Sequence, residues 1–296
     1  MKVRFAVAPA APWQEPERLG DFVAALERLR FDTVWLSDVP VGPLVDPLVA
    51  LTYAAGRTDR LHLGANVVPL GRNPFRFARE LAEIDRLSAG RLLLSFVPGI
   101  GSPLERETLG VARRDRGAYL ETLLPMLRRW WAGETVEHHG DGIEVPPLAL
   151  EHLPVQQPLE IWLGGRGPRA LERVGRLADG WLGGLSTPAV AGEARAAIER
   201  AADAAGRVVD PEHFGVGVSY ARSAPGPDAQ AAVLARVAEG TALADVLPIG
   251  RDALRERIAE HVAQGMSKFV VRTIDPTADL DDELAWLADA VLPLQT

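Results

Sequence analysis

Short apolar runs recur along the whole chain, each bounded by polar residues, Gly or Pro. They fall at 3–8 (VRFAVA), 33–38 (TVWLSD), 61–69 (LHLGANVVP), 91–99 (RLLLSFVPG), 160–165 (EIWLGG), 180–184 (GWLGG), 213–221 (HFGVGVSYA) and 268–274 (KFVVRTI). Most are nearly continuous in apolar residues, the pattern of strands buried under covering helices. The segments 17–30, 74–87, 113–131, 167–177, 189–205 and 251–264 instead carry Leu, Ala and Val at three-to-four spacing with Arg and Glu opposite, and predict amphipathic helices. Strands that alternate with helices make βαβ units, and eight of them suffice for a closed (β/α)8 TIM barrel of the α/β class. Asn73-Pro74 reads as a cap followed by an N1 proline, and Asp282 as a cap for the last helix.

Two segments interrupt the rhythm. The Pro-, Gly- and His-rich stretch 132–158 separates the fourth helix from the fifth strand by more than an ordinary loop, and is expected to be an insertion, partly hairpin, at one end of the barrel. The stretch 224–250 carries a short helix at 229–239. No repeat, low-complexity tract or linker divides the sequence, so the expectation is a single barrel domain over 1–296.

Composition narrows the partners. With no cysteine, disulfides, thiolate metal sites and thiol nucleophiles are excluded. A formal charge of −8 argues against nucleic acid or an anionic membrane as partner. The first apolar run meets prolines too soon for a secretory core or a membrane span, so a cytoplasmic protein is expected.

Candidate chemistry clusters at strand ends, where barrel enzymes place their sites. Gly164, Gly165 and Gly167 follow the fifth strand and precede a helix, with Arg166 and Arg169 beside them. Such a turn offers backbone N–H groups and a positive dipole end to a phosphate, or is only a tight turn. Gly99, Ile100 and Gly101 follow the fourth strand and let backbone approach a planar ligand, or serve a loop needing positive φ. Asn66 is polar within an apolar strand and needs a partner, either a ligand or a backbone group at a bulge. Asp38 ends the second strand, where it can orient a cofactor, accept a proton or cap a turn. His138 and His139, with Glu137 and Asp141 nearby, form no convincing ligand set, and no metal is expected. Trp130-Trp131 reads as core or interface.

The block at 73–101 resembles the signature of bacterial luciferase-like flavin monooxygenases and of the oxidoreductases that share their fold and use the deazaflavin coenzyme F-420 (F420). The likeness is carried by Asn73-Pro74, Asp85-Arg86-Leu87-Ser88 and Gly90-Arg91-Leu92. A second block runs from Leu163-Gly164-Gly165 to Ala178-Asp179-Gly180-Trp181, and a third is Gly265-Met266-Ser267-Lys268-Phe269-Val270-Val271. The resemblance implies a TIM barrel with Gly164, Gly165 and Gly167 cradling the cofactor phosphate and Gly99, Ile100 and Gly101 along the ribityl chain or ring. It also places Ala65-Asn66 where relatives often carry a cis peptide behind the ring. Two departures stand out: many relatives have His where this chain has Val39, and some have Glu where it has Ser102. The implied activity is hydride transfer between F420 and a small organic substrate in a homodimer. The alternatives are an FMN-dependent monooxygenase and a ligand-binding barrel without turnover. Arg72, Arg166 and Arg169 are expected to favour the acidic tail of a deazaflavin, and Trp13, Leu70, Phe96 and Ile100 hint at an apolar substrate near the barrel mouth.

Overall fold

The computed structural model describes residues 1–99, 102–110, 116–277 and 279–296. In chain order it shows β1 (Arg4–Val7), α1 (Pro16–Leu29), β2 (Thr33–Ser37), α2 (Pro47–Ala55), β3 (His62–Val67), α3 (Pro74–Leu87), β4 (Leu92–Phe96), α4 (Pro103–Leu109) and α5 (Arg116–Trp131). There follow β5 (Val136–Gly140), β6 (Ile143–Leu148), β7 (Ile161–Leu163), α6 (Pro168–Leu177), β8 (Gly180–Gly183) and α7 (Pro188–Ala204). The last elements are β9 (Phe214–Tyr220), α8 (Pro227–Leu234), α9 (Arg251–Ala263), β10 (Lys268–Thr273) and α10 (Leu280–Val291). Eight strands close into a parallel barrel in the order β1-β10-β9-β8-β7-β4-β3-β2, and β5 pairs antiparallel with β6. Every barrel strand lies inside one of the eight apolar runs.

The differences have local causes. Helix α2 escapes the periodic pattern because PLVALTYAA is apolar almost throughout, although Asp46 caps it by accepting from Leu48 N and Val49 N. Helix α4 is short and mostly polar; Ser102 caps it by accepting from Glu105 N at 3.1 Å. The cap of α10 is Asp279, which accepts from Asp282 N, while the Asp282 carboxylate pairs with Arg222 at 2.5 Å. The segment expected as an insertion holds the β5–β6 hairpin, which lies against α3 and α5. Residues 113–115 of the expected fourth helix fall outside the described residues.

Contacts group the chain into two compact units, Leu36–Trp162 and Met1–Trp35 with Leu163–Thr296. In the first, the signature block is scaffold. Arg91 enters β4 and donates to Ser88 O at 2.6 Å, Thr58 Oγ1 at 2.7 Å, Leu61 O and Thr58 O at 2.8 Å and Ala55 O at 3.3 Å, tying the turn before β3 to the turn before β4. Asp85, fully buried on α3, accepts from Gln156 N at 2.9 Å and Nε2 at 2.6 Å. Trp130 and Trp131 are core, donating to Leu148 O and Ala78 O.

In the other unit, β8, β9, β10 and β1 pair in parallel register. Their outer faces carry Phe214 under Arg195 of α7, Phe269 against His261 of α9 and Tyr220 stacked on Trp286 of α10. Helices α6 and α7 cross closely at Gly175, where a Cβ would stand 2.6 Å from Ile198 O. Among the described residues no helix is long and apolar enough to cross a membrane.

Candidate cofactor site

The cofactor candidates lie in barrel strands or just beyond them, one group in Leu36–Trp162 and another in the other unit. In Leu36–Trp162, Asp38 directly follows β2 and its side chain is only 5% exposed. Its Oδ2 accepts from Val68 N at 3.1 Å and from Arg72 Nη2 at 3.2 Å, and its backbone N–H donates to Asn66 O at 2.8 Å. Burial raises the Asp38 carboxyl above the usual range, with the Val68 N–H and the Arg72 guanidinium opposing the rise. Arg72 also reaches Asp46 Oδ2 at 3.1 Å. It is thus engaged by two carboxylates.

Asn66 lies in an unbroken ladder in which Ala65 faces Leu94 and Asn66 faces Ser95 of β4. Its Nδ2 is 3.5 Å from Ser37 Oγ. The cis peptide expected between Ala65 and Asn66 is not formed, because β3 runs through this point as regular strand; among the described residues the cis bond is Gln157-Pro158.

Gly99 has φ +79°, and a Cβ there would collide with the Glu105 carboxylate and stand 3.1 Å from Arg116 Nη1. Glu105 and Arg116 form a buried pair at 2.7 Å with side chains 2% and 3% exposed, and Arg116 Nη1 also donates to Pro98 O at 2.6 Å. Arg116, paired with the carboxylate nearest the glycine loop, therefore pins the backbone at Pro98, just before Gly99. Nothing along the chain marks this pair in advance beyond an Arg opening a helix. Ile100 and Gly101 lie outside the described residues.

In the other unit, the glycines between β7 and α6 divide their work. Gly165 takes φ +123°, its carbonyl accepts from Trp181 Nε1 at 2.9 Å, and a Cβ would come 2.8 Å from Ala170 Cβ. It serves the turn and its packing. Gly167 is the N-cap of α6 at φ −79°, ψ 156°, with no side-chain cap, and a Cβ on it would meet nothing within 4 Å. The first turn behind it is exposed, with Pro168 at the position that needs no N–H and Arg166 and Arg169 alongside. Gly164 is buried at the end of β7. Ala170 N and Leu171 N both donate back to Gly167 O, and Arg166 Nη1 reaches Arg236 O at 3.4 Å. An anion with oxygen acceptors fits the mouth at Gly167 through the exposed first turn at Arg169, the positive dipole end and the flanking arginines.

Other candidates resolve into structure. His139 lies on the exposed hairpin between Glu144 Oε2 at 2.8 Å and Glu137 Oε1 at 3.1 Å, and the two carboxylates raise its imidazole, Glu144 first. Trp13, Leu70 and Phe96 are buried in the core, Trp13 stacked on Phe22 and Phe96 tilted against Phe77, so the hint of an apolar substrate is withdrawn for these three.

Three relatives frame these observations. The F420-dependent glucose-6-phosphate dehydrogenase of Kineococcus radiotolerans is 29% identical over 178 residues, 56% of this chain and 52% of that protein, so the match spans about half the relative's length. The enzyme of the same name from Microbacterium testaceum is 28% identical over 98% of this chain and 97% of its own. The structure of the coenzyme F420 dependent tetrahydromethanopterin reductase from Methanopyrus kandleri superposes with a TM-score of 0.80 at 19% identity, covering 100% of both chains. Residues 2–282, nearly the whole chain, match the luciferase-like monooxygenase family, and the chain belongs to that family.

Proposed function

We propose that the chain is an oxidoreductase that passes a hydride between coenzyme F420 and a small organic substrate. The observation that carries this is the open mouth of α6 at Gly167, uncapped and flanked by Arg166 and Arg169, which suits a phosphate-bearing cofactor. The names of the similar dehydrogenases support F420 in particular. When bound, the cofactor supplies the hydride chemistry, and the chain supplies orientation and exclusion of water. In the unit that holds α6, Gly167 gives a phosphate its backbone approach. Within Leu36–Trp162, Asp38, Ala65 and Asn66 are the candidates against which a ring can rest. Asp38 is the one candidate among them for holding a proton, its carboxyl being raised by burial. A homodimer in the cytoplasm accompanies this reading, and sedimentation showing only monomer removes the dimer.

Calorimetric titration of the purified protein with F420 and, separately, with FMN tests the reading. Tight F420 and weak FMN binding support it; the reverse favours a flavin monooxygenase, the activity in the family's name. Binding of neither overturns it. The lack of His and Glu at Val39 and Ser102 favours a barrel without turnover as the remaining alternative, and hydride transfer from reduced cofactor to any acceptor excludes that.

A further inference from the structure

The inner face of β10 carries an arginine that the site described above does not use. Because Phe269 meets His261 of α9 on the outer side, strand alternation turns Lys268, Val270 and Arg272 to the face opposite the helices. The same argument from Phe214 under Arg195 and Tyr220 on Trp286 turns Gly215, Gly217 and Ser219 of β9 inward. Arg272 stands in register with Ser219, and Val270 with Gly217. Ala8, which continues β1 by donating to Val271 O, completes the patch. Gly217, Val270, Arg272 and Ala8 are each partly exposed although they lie in or beside central barrel strands, so this face is open to a ligand.

The two cations of β10 differ. Lys268, at the start of the strand, lies in the field of Asp32. Arg272, at the far end, has no hydrogen bond or ion pair among the described residues. Space is provided too: at Gly215 a Cβ would meet Lys268 O at 2.9 Å, whereas at Gly217 it would find only ordinary contacts of 3.7–3.9 Å. Packing therefore explains the first glycine and leaves room at the second.

The geometry points to Arg272 as the anchor for a carboxylate of the substrate, held on the inner face of β9, β10 and β1 beside Gly217 and Ser219. A single planar guanidinium at this end of the strand, beside the neutral Ala8, Gly217, Ser219 and Val270, matches one delocalised negative charge through two parallel hydrogen bonds, whereas a phosphate dianion calls for further cations or helix donors. This rests on the oxidoreductase reading and names its substrate class, an organic acid.

The test uses the whole protein with benzoate, benzamide and inorganic phosphate as probes. Phenylglyoxal labelling of Arg272, mapped by peptide mass spectrometry, is expected to be suppressed by benzoate and not by benzamide or phosphate. Calorimetry is expected to show benzoate affinity falling at least tenfold in Arg272→Met and partly restored in Arg272→Lys, with F420 and FMN affinities unchanged. Equal protection by benzamide, protection by phosphate alone, or no protection overturns the proposal, and the wild-type labelling decides even if Arg272→Met fails to fold. A loss of cofactor binding in Arg272→Met with benzoate unaffected overturns it by giving Arg272 to the cofactor. If benzoate protects while neither cofactor binds the wild type, the oxidoreductase reading fails and the carboxylate site stands.

Discussion

At the residue scale, the two glycine loops show how one residue type serves unlike ends. Gly165 could not accept a Cβ beside Ala170, whereas Gly167 has open space and extended backbone that any residue adopts. Gly167→Asp is therefore expected to raise stability by about 0.5 kcal/mol, because Asp is a better N-cap and its charge suits the helix dipole. The same carboxylate would repel a phosphate, weakening F420 and FMN binding tenfold or more in calorimetry. Unchanged binding with raised stability would remove Gly167 from the cofactor site. At Gly99 the neighbour decides: Glu105→Gln leaves the Arg116 guanidinium buried without its charge partner, for an expected loss of about 3 kcal/mol in denaturant unfolding, partly recovered by adding Arg116→Met. The positions of Asp38, Asn66 and the glycines at strand ends were legible in the sequence because strand ends can be counted. Their partners were not. That Arg72 is taken by Asp38 and Asp46, and Glu105 by Arg116, depends on side chains meeting across loops, which no spacing encodes.

At the scale of elements, the eight strands were readable because strands buried under helices leave near-continuous apolar runs, and most helices because one face stays polar. Helix α2 was lost for the opposite reason: an almost wholly apolar segment has no face to detect, and only Asp46-Pro47 marked its start. The most recognisable block, 73–101, proves to be largely architecture. Arg91 joins two turns through five acceptors, and Asp85 receives two donors from Gln156. Such a signature announces the barrel without announcing the reaction, since it fixes how the β3 and β4 units are entered rather than what happens where they end. Arg91→Met is expected to cost about 3 kcal/mol by stranding buried carbonyls, with Arg91→Lys recovering little because an ammonium cannot span the same acceptors. Thermal unfolding reads both; a loss near zero for Arg91→Met would show that water replaces the network.

At the scale of the whole molecule, the helix layer around the barrel creates one group whose titration reaches global stability. His261 on α9 is buried against Phe269, and burial, aided by the Arg257 guanidinium and opposed by the Ser186 backbone, pushes its imidazole down to about 4. The periodic pattern places His261 on a helix but not against β10, so only the packed fold makes it informative. Above about pH 6.5 the ring is neutral in both folded and unfolded chains and contributes no pH dependence. Between about 6.5 and about 4 the unfolded chain takes up a proton that the folded chain refuses, so stability falls as pH falls. Below about 4 both states bind the proton and the loss stops growing, at about 3 kcal/mol in total. His261→Leu removes this linkage while leaving the carboxylates elsewhere to titrate as before. Denaturant unfolding of both proteins from pH 7.5 to pH 4 is therefore expected to show the wild type losing about 3 kcal/mol more than the variant over that interval. Parallel curves would mean that the ring reaches solvent on a timescale short enough to titrate in the folded barrel, and the α9–β10 contact would then be a breathing seam rather than part of the rigid core.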